Sequence, residues 1–184
     1  METKNTFTLD SLLRSYPLYW AYGKIRTFVQ PYIDDTFDAT EIIPNLWVGS
    51  ISSPSNSVNL KSHKIKMIVN AHVGAYPLFP YEFEYKLVEL LDIDGENIIN
   101  KFDQILPEIH RVVESGSGVL VHCMVGASRS ATIIAAYLIK YHKMTAEGAL
   151  EHMKKLRPVV DPNAGFVKQL GIYEEYINRE SNNL

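Results

Sequence analysis

From Glu41 onward, short apolar runs alternate with longer segments of helical period, and that alternation restricts the fold more than any other feature of the chain. Ile42, Ile43 and then Leu46, Trp47, Val48 flank Pro44-Asn45, which predicts two short strands around a turn. Residues 65–69, 85–91 and 118–121 read as three further strands. Ile98, Ile99, Phe102, Ile105, Leu106, Ile109, Val112 and Val113 follow a helical period that ends near Gly116. Pro107 lies inside that helix and is expected to kink or divide it. Residues 129–141 read as a largely apolar helix, Thr145 as the cap of another with Glu147 in its first turn, and Pro162 as the start of the last. That last helix would bury Phe166, Leu170, Tyr173 and Ile177. Strands interleaved with helices imply an α/β fold, a central, largely parallel twisted sheet flanked by helices. Such sheets gather ligands at the carboxyl ends of their strands. Cys123 sits at such an end.

The stretch from Cys123 to Arg129 has its own chemistry. A strand ends, a short loop of Met124, Val125, Gly126, Ala127 and Ser128 follows, and a helix begins at about Arg129. Backbone N–H groups at a helix start point outward, and the helix dipole favours an anion there. A loop wrapped around that point adds amides and forms a nest for a tetrahedral dianion. Arg129 brings a planar fork that can grip two phosphate oxygens. The same positive field stabilises a thiolate, and thiols at helix N-termini or near cations fall to a pKa of roughly 3.5–7.5. A thiolate beneath a bound phosphate is an in-line nucleophile, and its product would be a phosphocysteine.

The residues His122-Cys123-Met-Val-Gly126-Ala-Ser-Arg129-Ser130 resemble the His-Cys-x5-Arg-Ser/Thr signature of the protein tyrosine phosphatases, and more narrowly that of the small dual-specificity phosphatases. The resemblance runs from about Glu41 to Glu175. Leu46-Trp-Val-Gly-Ser50, Ser130-Ala-Thr-Ile, Ala136-Tyr-Leu, and Arg157-Pro158 followed by Pro162-Asn163, Phe166 and Gln169-Leu170 are similar to other family segments, in the family's order. Val125 departs from the alanine common in the family, and the loop carries no lysine. The resemblance implies a protein tyrosine phosphatase-like fold and a general acid. Asp92, in Asp92-Ile-Asp-Gly-Glu-Asn97-Ile98, fits that acid, with Asp94 as competitor. It further implies that Ser130 donates to the cysteine sulfur, that His122 holds the loop through hydrogen bonds, and that Asn163 braces the loop from behind. The implied activity is hydrolysis of phosphotyrosine and phosphoserine or phosphothreonine on a phosphorylated protein. The same mechanism on a phosphoinositide, an RNA 5′-phosphate or a glycan is the alternative. A phosphoresidue-binding protein would lack the nucleophile, and a sulfur transferase would lack the Asp92 segment and the C-terminal signature.

The 184 residues suit one catalytic domain, 41–184, preceded by a helical, aromatic-rich extension, 1–40, that matches nothing in the family. Leu12, Leu13, Tyr16 and Trp20 are spaced for one helical face interrupted by Pro17, expected to cover the extension's own domain or to form a homodimer contact. The extension contains no segment resembling a tyrosine-recognition loop, so a shallow pocket open to several phosphoamino acids is expected. A net charge of -3 argues against nucleic acid and anionic membrane as main partners. One cysteine excludes an internal disulfide and a Cys-based zinc site. His63, His72, His110, His142 and His152 show no metal-ligand spacing, so neither metal nor cofactor is expected and these rings are assigned to packing or surface. No run approaches the roughly 20 apolar residues of a membrane span, and no signal pattern is present, which predicts a cytoplasmic or nuclear protein.

Overall fold

A computed structural model of the chain describes residues 9–33 and 36–182, with side chains described for 16–31 and 36–181. The elements in order are α1 (Leu9–Ile33), β1 (Ala39–Ile43), β2 (Leu46–Gly49), a 3₁₀ turn (Ser53–Ser55), α2 (Ser57–Ser62), β3 (Ile65–Asn70) and β4 (Glu84–Leu87). They continue with α3 (Ile99–Glu114), β5 (Gly118–His122), α4 (Arg129–His142), α5 (Ala146–Leu156) and α6 (Ala164–Asn182). The five strands form one sheet in the order β1-β2-β5-β3-β4. Only β1 runs antiparallel to its neighbour; β2, β5, β3 and β4 are parallel. This is the expected α/β architecture with an antiparallel edge. The first turn also forms where Pro44-Asn45 places it, with Asn45 at φ 68°.

Alternation along the pleat sorts side chains onto two faces. Met67, Val69, Val119 and Val121 enter the main core with α3, α4, α5 and α6. Ile68 and Leu120, on the opposite face, join a smaller cluster with Leu60 of α2 and Phe83. Every residue of β5 is buried, because it is the central strand and both its faces are covered. Ser130 to Ile139 of α4 are buried without exception, since that helix lies among α3, α5, α6 and the sheet. The strand and the helix on either side of the Cys123 loop are therefore the most enclosed elements of the fold.

Three elements differ from expectation for local reasons. The strand predicted over 85–91 ends at Leu87. Val88 N–H still bonds the Asn70 carbonyl at 2.9 Å, but Leu91 N–H turns to the Glu96 carboxylate at 3.0 Å, so the chain leaves the sheet towards the cysteine loop. Pro107 does not divide α3, whose buried residues Phe102, Ile105, Leu106, Ile109 and Val112 anchor the helix on both sides of it. Pro162 does not start α6; Asn163 accepts from Phe166 N–H at 2.9 Å, and the helix begins at Ala164. The helix α1 runs through Pro17. Of its predicted apolar stripe, Tyr16 and Trp20 are exposed, and the side chains of Leu12 and Leu13 lie outside the described residues. The buried face is instead Gly23, Thr27 and Gln30, an i, i+4, i+7 row.

At the start of α3 Ile98 stands at the cap position and offers no side-chain acceptor, and Asn97 takes only the Asn100 N–H, at 3.4 Å. Gln169 of α6 caps the two amides before it: its side-chain oxygen accepts from the N–H groups of Ile98 and Ile99 at 3.0 and 3.1 Å, and its side-chain amide donates to Glu96 O at 2.8 Å. Gln169→Ala should thus cost about 1–3 kcal/mol by stranding partly buried donors. Thr145→Ala, which removes the acceptor for Gly148 N–H at the start of α5, should cost about 1 kcal/mol. Urea midpoints shifting in that order, at constant slope, are the expected result.

Candidate active site

Cys123 follows β5 directly and is 1 % exposed. Its sulfur accepts hydrogen bonds from Gly126 N–H and from the Ser130 hydroxyl, each at 3.3 Å. The loop is shaped by where its carbonyls go. Met124 O accepts from Ile51 N–H, Val125 O and Gly126 O from the guanidinium of Arg157, and Ala127 O from Asp161 N–H. Four consecutive carbonyls are thus turned outward, which aims the amides of the same loop inward. Gly126 adopts φ 77°, and a side chain there would strike Gly49 O and Arg157. Only glycine takes that left-handed turn against neighbouring backbone without strain.

Ser128 occupies the cap position of α4 but does not cap it. Its hydroxyl donates to Asp92 Oδ1 at 2.6 Å. The first amides of α4 are therefore left facing the site at the positive end of the helix. Burial opposes ionisation of Cys123. The Arg129 charge, the Ser130 hydroxyl and the backbone N–H groups of Ser130 and Val125 outweigh it and hold the thiol below its ordinary pKa.

Arg129 is largely buried, with its side chain 11 % exposed, and lies 3.4 Å from Asp92 Oδ2 through Nε. Its Nη1 donates to Leu90 O at 3.4 Å. Asp92 stands at the rim, exposed to solvent. Its Oδ1 also accepts from the Asn163 amide at 3.0 Å. Asp94, the competing carboxylate, points elsewhere: it accepts from Gly165 N–H at 3.3 Å at the start of α6. Asp92, Ser128, Arg129 and Asn163 therefore form one connected set at the mouth, from which Asp94 is excluded.

Asn163 touches the loop, its N–H bonding the Ser128 hydroxyl at 3.3 Å, and its side chain reaches Asp92 as well. Further backing comes from Arg157, for which the sequence suggested no role. Beyond the two loop carbonyls, Arg157 makes a bidentate pair with Asp38 at 2.9 and 3.1 Å. Burial disfavours the charged form of Asp38, yet its hydrogen bonds to Arg157 and Ser50 lower the pKa overall. His122 is wholly buried edge-on to His72 at 6.0 Å, and neither of its ring nitrogens has a hydrogen-bond partner of regular geometry. Burial, with His72 beside it, pushes its pKa down to about 3 against a small opposing effect of the Cys123 backbone, so the ring is neutral. The interaction of His122 with the loop is with the backbone of Cys123, and the ring otherwise packs edge-on to His72.

Three of the other histidines take structural places. His63 stacks on Phe37 at 4.2 Å, His110 on Tyr141 at 3.8 Å, and His152 bonds Ile42 O at 2.9 Å. Among the described residues no group of His, Cys, Asp and Glu is arranged to hold a metal, and no helix is long and apolar enough to cross a membrane.

Residues 46–176 match the family model described as the dual specificity phosphatase catalytic domain. The chain belongs to the dual-specificity phosphatase family. It is a cysteine-based phosphatase. It is 42 % identical over 150 residues to dual specificity protein phosphatase 1 of Arabidopsis thaliana, a match covering 82 % of this chain and 75 % of that one. The human tyrosine phosphatase-like serine/threonine/tyrosine-interacting protein superposes with a TM-score of 0.72 at 32 % identity, over 77 % of this chain and 98 % of the other. A mouse putative dual specificity phosphatase, crystallised in complex with zinc tungstate, superposes with a TM-score of 0.75 at 26 % identity, over 79 % and 92 %.

The Arg157 clamp yields a prediction for the thiol. Arg157→Lys replaces a fork that engages two carbonyls and one carboxylate with a single point charge. The loop amides should lose their inward set, and the Cys123 thiol pKa should rise, as it should in Ser130→Ala. Iodoacetamide alkylation followed against pH is the measurement. In the unaltered chain its midpoint should lie below the ordinary thiol value of about 8.5.

Proposed function

We propose that this phosphatase acts on proteins, hydrolysing phosphotyrosine and phosphoserine or phosphothreonine through a phosphocysteine intermediate. The observation that carries this reading is the charge of the cleft. It has a volume of about 240 Å³, and among the described residues lining it Arg129 is the sole cation and Asp92 the sole anion. His72, also on the wall, is neutral at pH 7, because burial and then the Arg129 charge outweigh its bond to Val73 O and bring its pKa to about 4. One guanidinium suits one phosphate. A polyphosphorylated inositol headgroup would call for further cations, and the loop contributes none. The volume falls below the roughly 300–1,000 Å³ of sites for drug-sized ligands, and suits a single modified side chain.

On this reading the phosphate dianion sits on the loop amides with Arg129 gripping two oxygens. The Cys123 thiolate attacks phosphorus in line, the P–O bond to the substrate breaks, and Asp92 delivers its proton to the departing oxygen. Water then attacks the phosphocysteine with Asp92 as base, and the Ser130 hydroxyl, already on the sulfur at 3.3 Å, stabilises the departing thiolate. The preference for Asp92 over Asp94 rests on its position 3.4 Å from Arg129. Asn163 and Ser128 are positioning residues for that carboxyl.

Cys123→Ser should abolish turnover while retaining phosphate-site binding, since the amides and Arg129 remain. Wild-type-like hydrolysis by this variant would refute the mechanism. Asp92→Ala should lower the rate on phenyl phosphates by about 10²–10⁴. The loss should shrink for substrates whose leaving groups are acidic enough to depart unprotonated. Asp94→Ala should cost much less, so a larger, leaving-group-dependent loss at Asp94 would reverse the assignment. Matched phosphotyrosine and phosphothreonine peptides beside a phosphoinositide panel test the substrate class. A clear lipid preference would overturn it.

A further inference from the structure

The cleft over Arg129 is not built from the family core alone. Along with Met124, Arg129, Asp92 and His72, it is lined by Tyr19 and Tyr22 of α1, a helix outside the matched residues 46–176. We propose that Tyr19 and Tyr22 form an aromatic wall that receives the ring of phosphotyrosine, so that α1 sets the preference of the site for aryl over alkyl phosphates. This rests on the reading of the site as a protein phosphatase and gives its substrate range a direction.

The helix is seated against the core with little tolerance. At Gly23 a side chain would run into the Val73 carbonyl, and at Gly74 one would run into the Trp20 carbonyl. Gly74 also adopts φ 75°, in the left-handed region. Two glycines facing each other across the contact let the two backbones approach as neither could with a β-carbon. Thr27 and Gln30 continue the buried face, 3 % and 4 % exposed. Two turns before Gly23, Tyr16 donates its hydroxyl proton to Glu89 at 3.0 Å, tying α1 to the segment between β4 and Asp92. Tyr19 lies one turn from Gly23 and Tyr22 is its neighbour, so the closest approach of the helix fixes both rings at the cleft.

The two rings are about half exposed, 47 % and 54 %, which leaves aromatic surface for a substrate to cover. A phosphate held by Arg129 must be followed by its side chain running out past Asp92 to the mouth. Phosphotyrosine places a phenyl ring along that path, where offset or edge-on packing against tyrosine is favourable. Phosphoserine and phosphothreonine bring only one or two carbons and then peptide backbone, so they gain nothing from the rings. The scale of aromatic pairing corresponds to roughly two- to tenfold in binding for each ring. The pocket expected to be shallow thus gains aromatic residues on its α1 side.

The test is kcat/KM on matched phosphotyrosine and phosphothreonine peptides for the full chain, Tyr19→Ala/Tyr22→Ala and Tyr19→Phe/Tyr22→Phe. In the alanine pair the phosphotyrosine-to-phosphothreonine ratio should fall by about tenfold or more. The phenylalanine pair should restore it, because the ring and not the hydroxyl does the packing. Gly23→Ala should lower the ratio as well, by moving α1. An unchanged ratio in the alanine pair, or no restoration by phenylalanine, would overturn the proposal. Failure of the unaltered chain to hydrolyse either peptide, with Cys123 still alkylated by iodoacetamide, would instead overturn the protein-phosphatase reading beneath it.

Discussion

A sulfur anion at a position 1 % exposed is costly, and much of this structure answers that cost. Burial alone would keep Cys123 protonated. What opposes it is a ring of donors: Gly126 N–H, the Ser130 hydroxyl, further amides and the Arg129 charge. Amides face inward only if the carbonyls between them face outward, and outward carbonyls in a buried loop need donors of their own. Ile51, Arg157 and Asp161 provide them. Arg157 is itself nearly buried and would be a second uncompensated charge without Asp38, which takes both of its terminal nitrogens. The requirement at the sulfur therefore extends through Arg157 to a residue just before β1.

The opposite rim obeys a similar logic with different parts. Asp92 is exposed and lies on a connecting segment, the kind of position that is usually mobile. Here the segment is held at both ends. Glu96 takes Leu91 N–H, and Gln169 caps α3 while donating to Glu96 O. Asn163 and Gly165 bind Asp92 and Asp94 from the start of α6. The last helix thus fixes the carboxyl, and β5 with α4 fixes the sulfur. Both helices pack in the same core, which gives the two groups a common frame.

This division explains what could be read from the chain. Period-2 and period-3.6 patterns are local, so most strands and helices and the strand–loop–helix around Cys123 followed directly from residue order. Asp92 could be separated from Asp94 only through the resemblance, and the structure adds the reason, since the two side chains point to different partners. What could not be read depends on distant pairs. Asp38 and Arg157 are separated by 119 positions, and no local pattern links them. The reach of Asn163 to Asp92, 71 positions away, has no signature in its neighbours. The seat of α1 was hidden for another reason. The hydrophobic pattern drew attention to Tyr16 and Trp20, whereas the contact is made by Gly23, which has no side chain to display. Glycine-on-glycine contacts carry no hydropathy signal, so pattern reading favours the wrong face of such a helix.

The rim also suggests how the two charges divide their work on the proposed mechanism. Without substrate, Arg129 has Asp92 as its nearest carboxylate, at 3.4 Å. A phosphate dianion brings more charge and a geometry that fits both arms of the guanidinium, so it competes well for Arg129. Asp92 need not leave when displaced from that pair. Its other oxygen is held by Ser128 and Asn163, which are anchored in the phosphate loop and at α6. The carboxyl loses one partner and keeps two, which leaves Oδ2, the oxygen released by Arg129, free to meet the departing oxygen of the substrate. Ser128 links the anion-binding loop to the acid through one hydroxyl. That link also accounts for a cap position whose side chain does not cap its own helix.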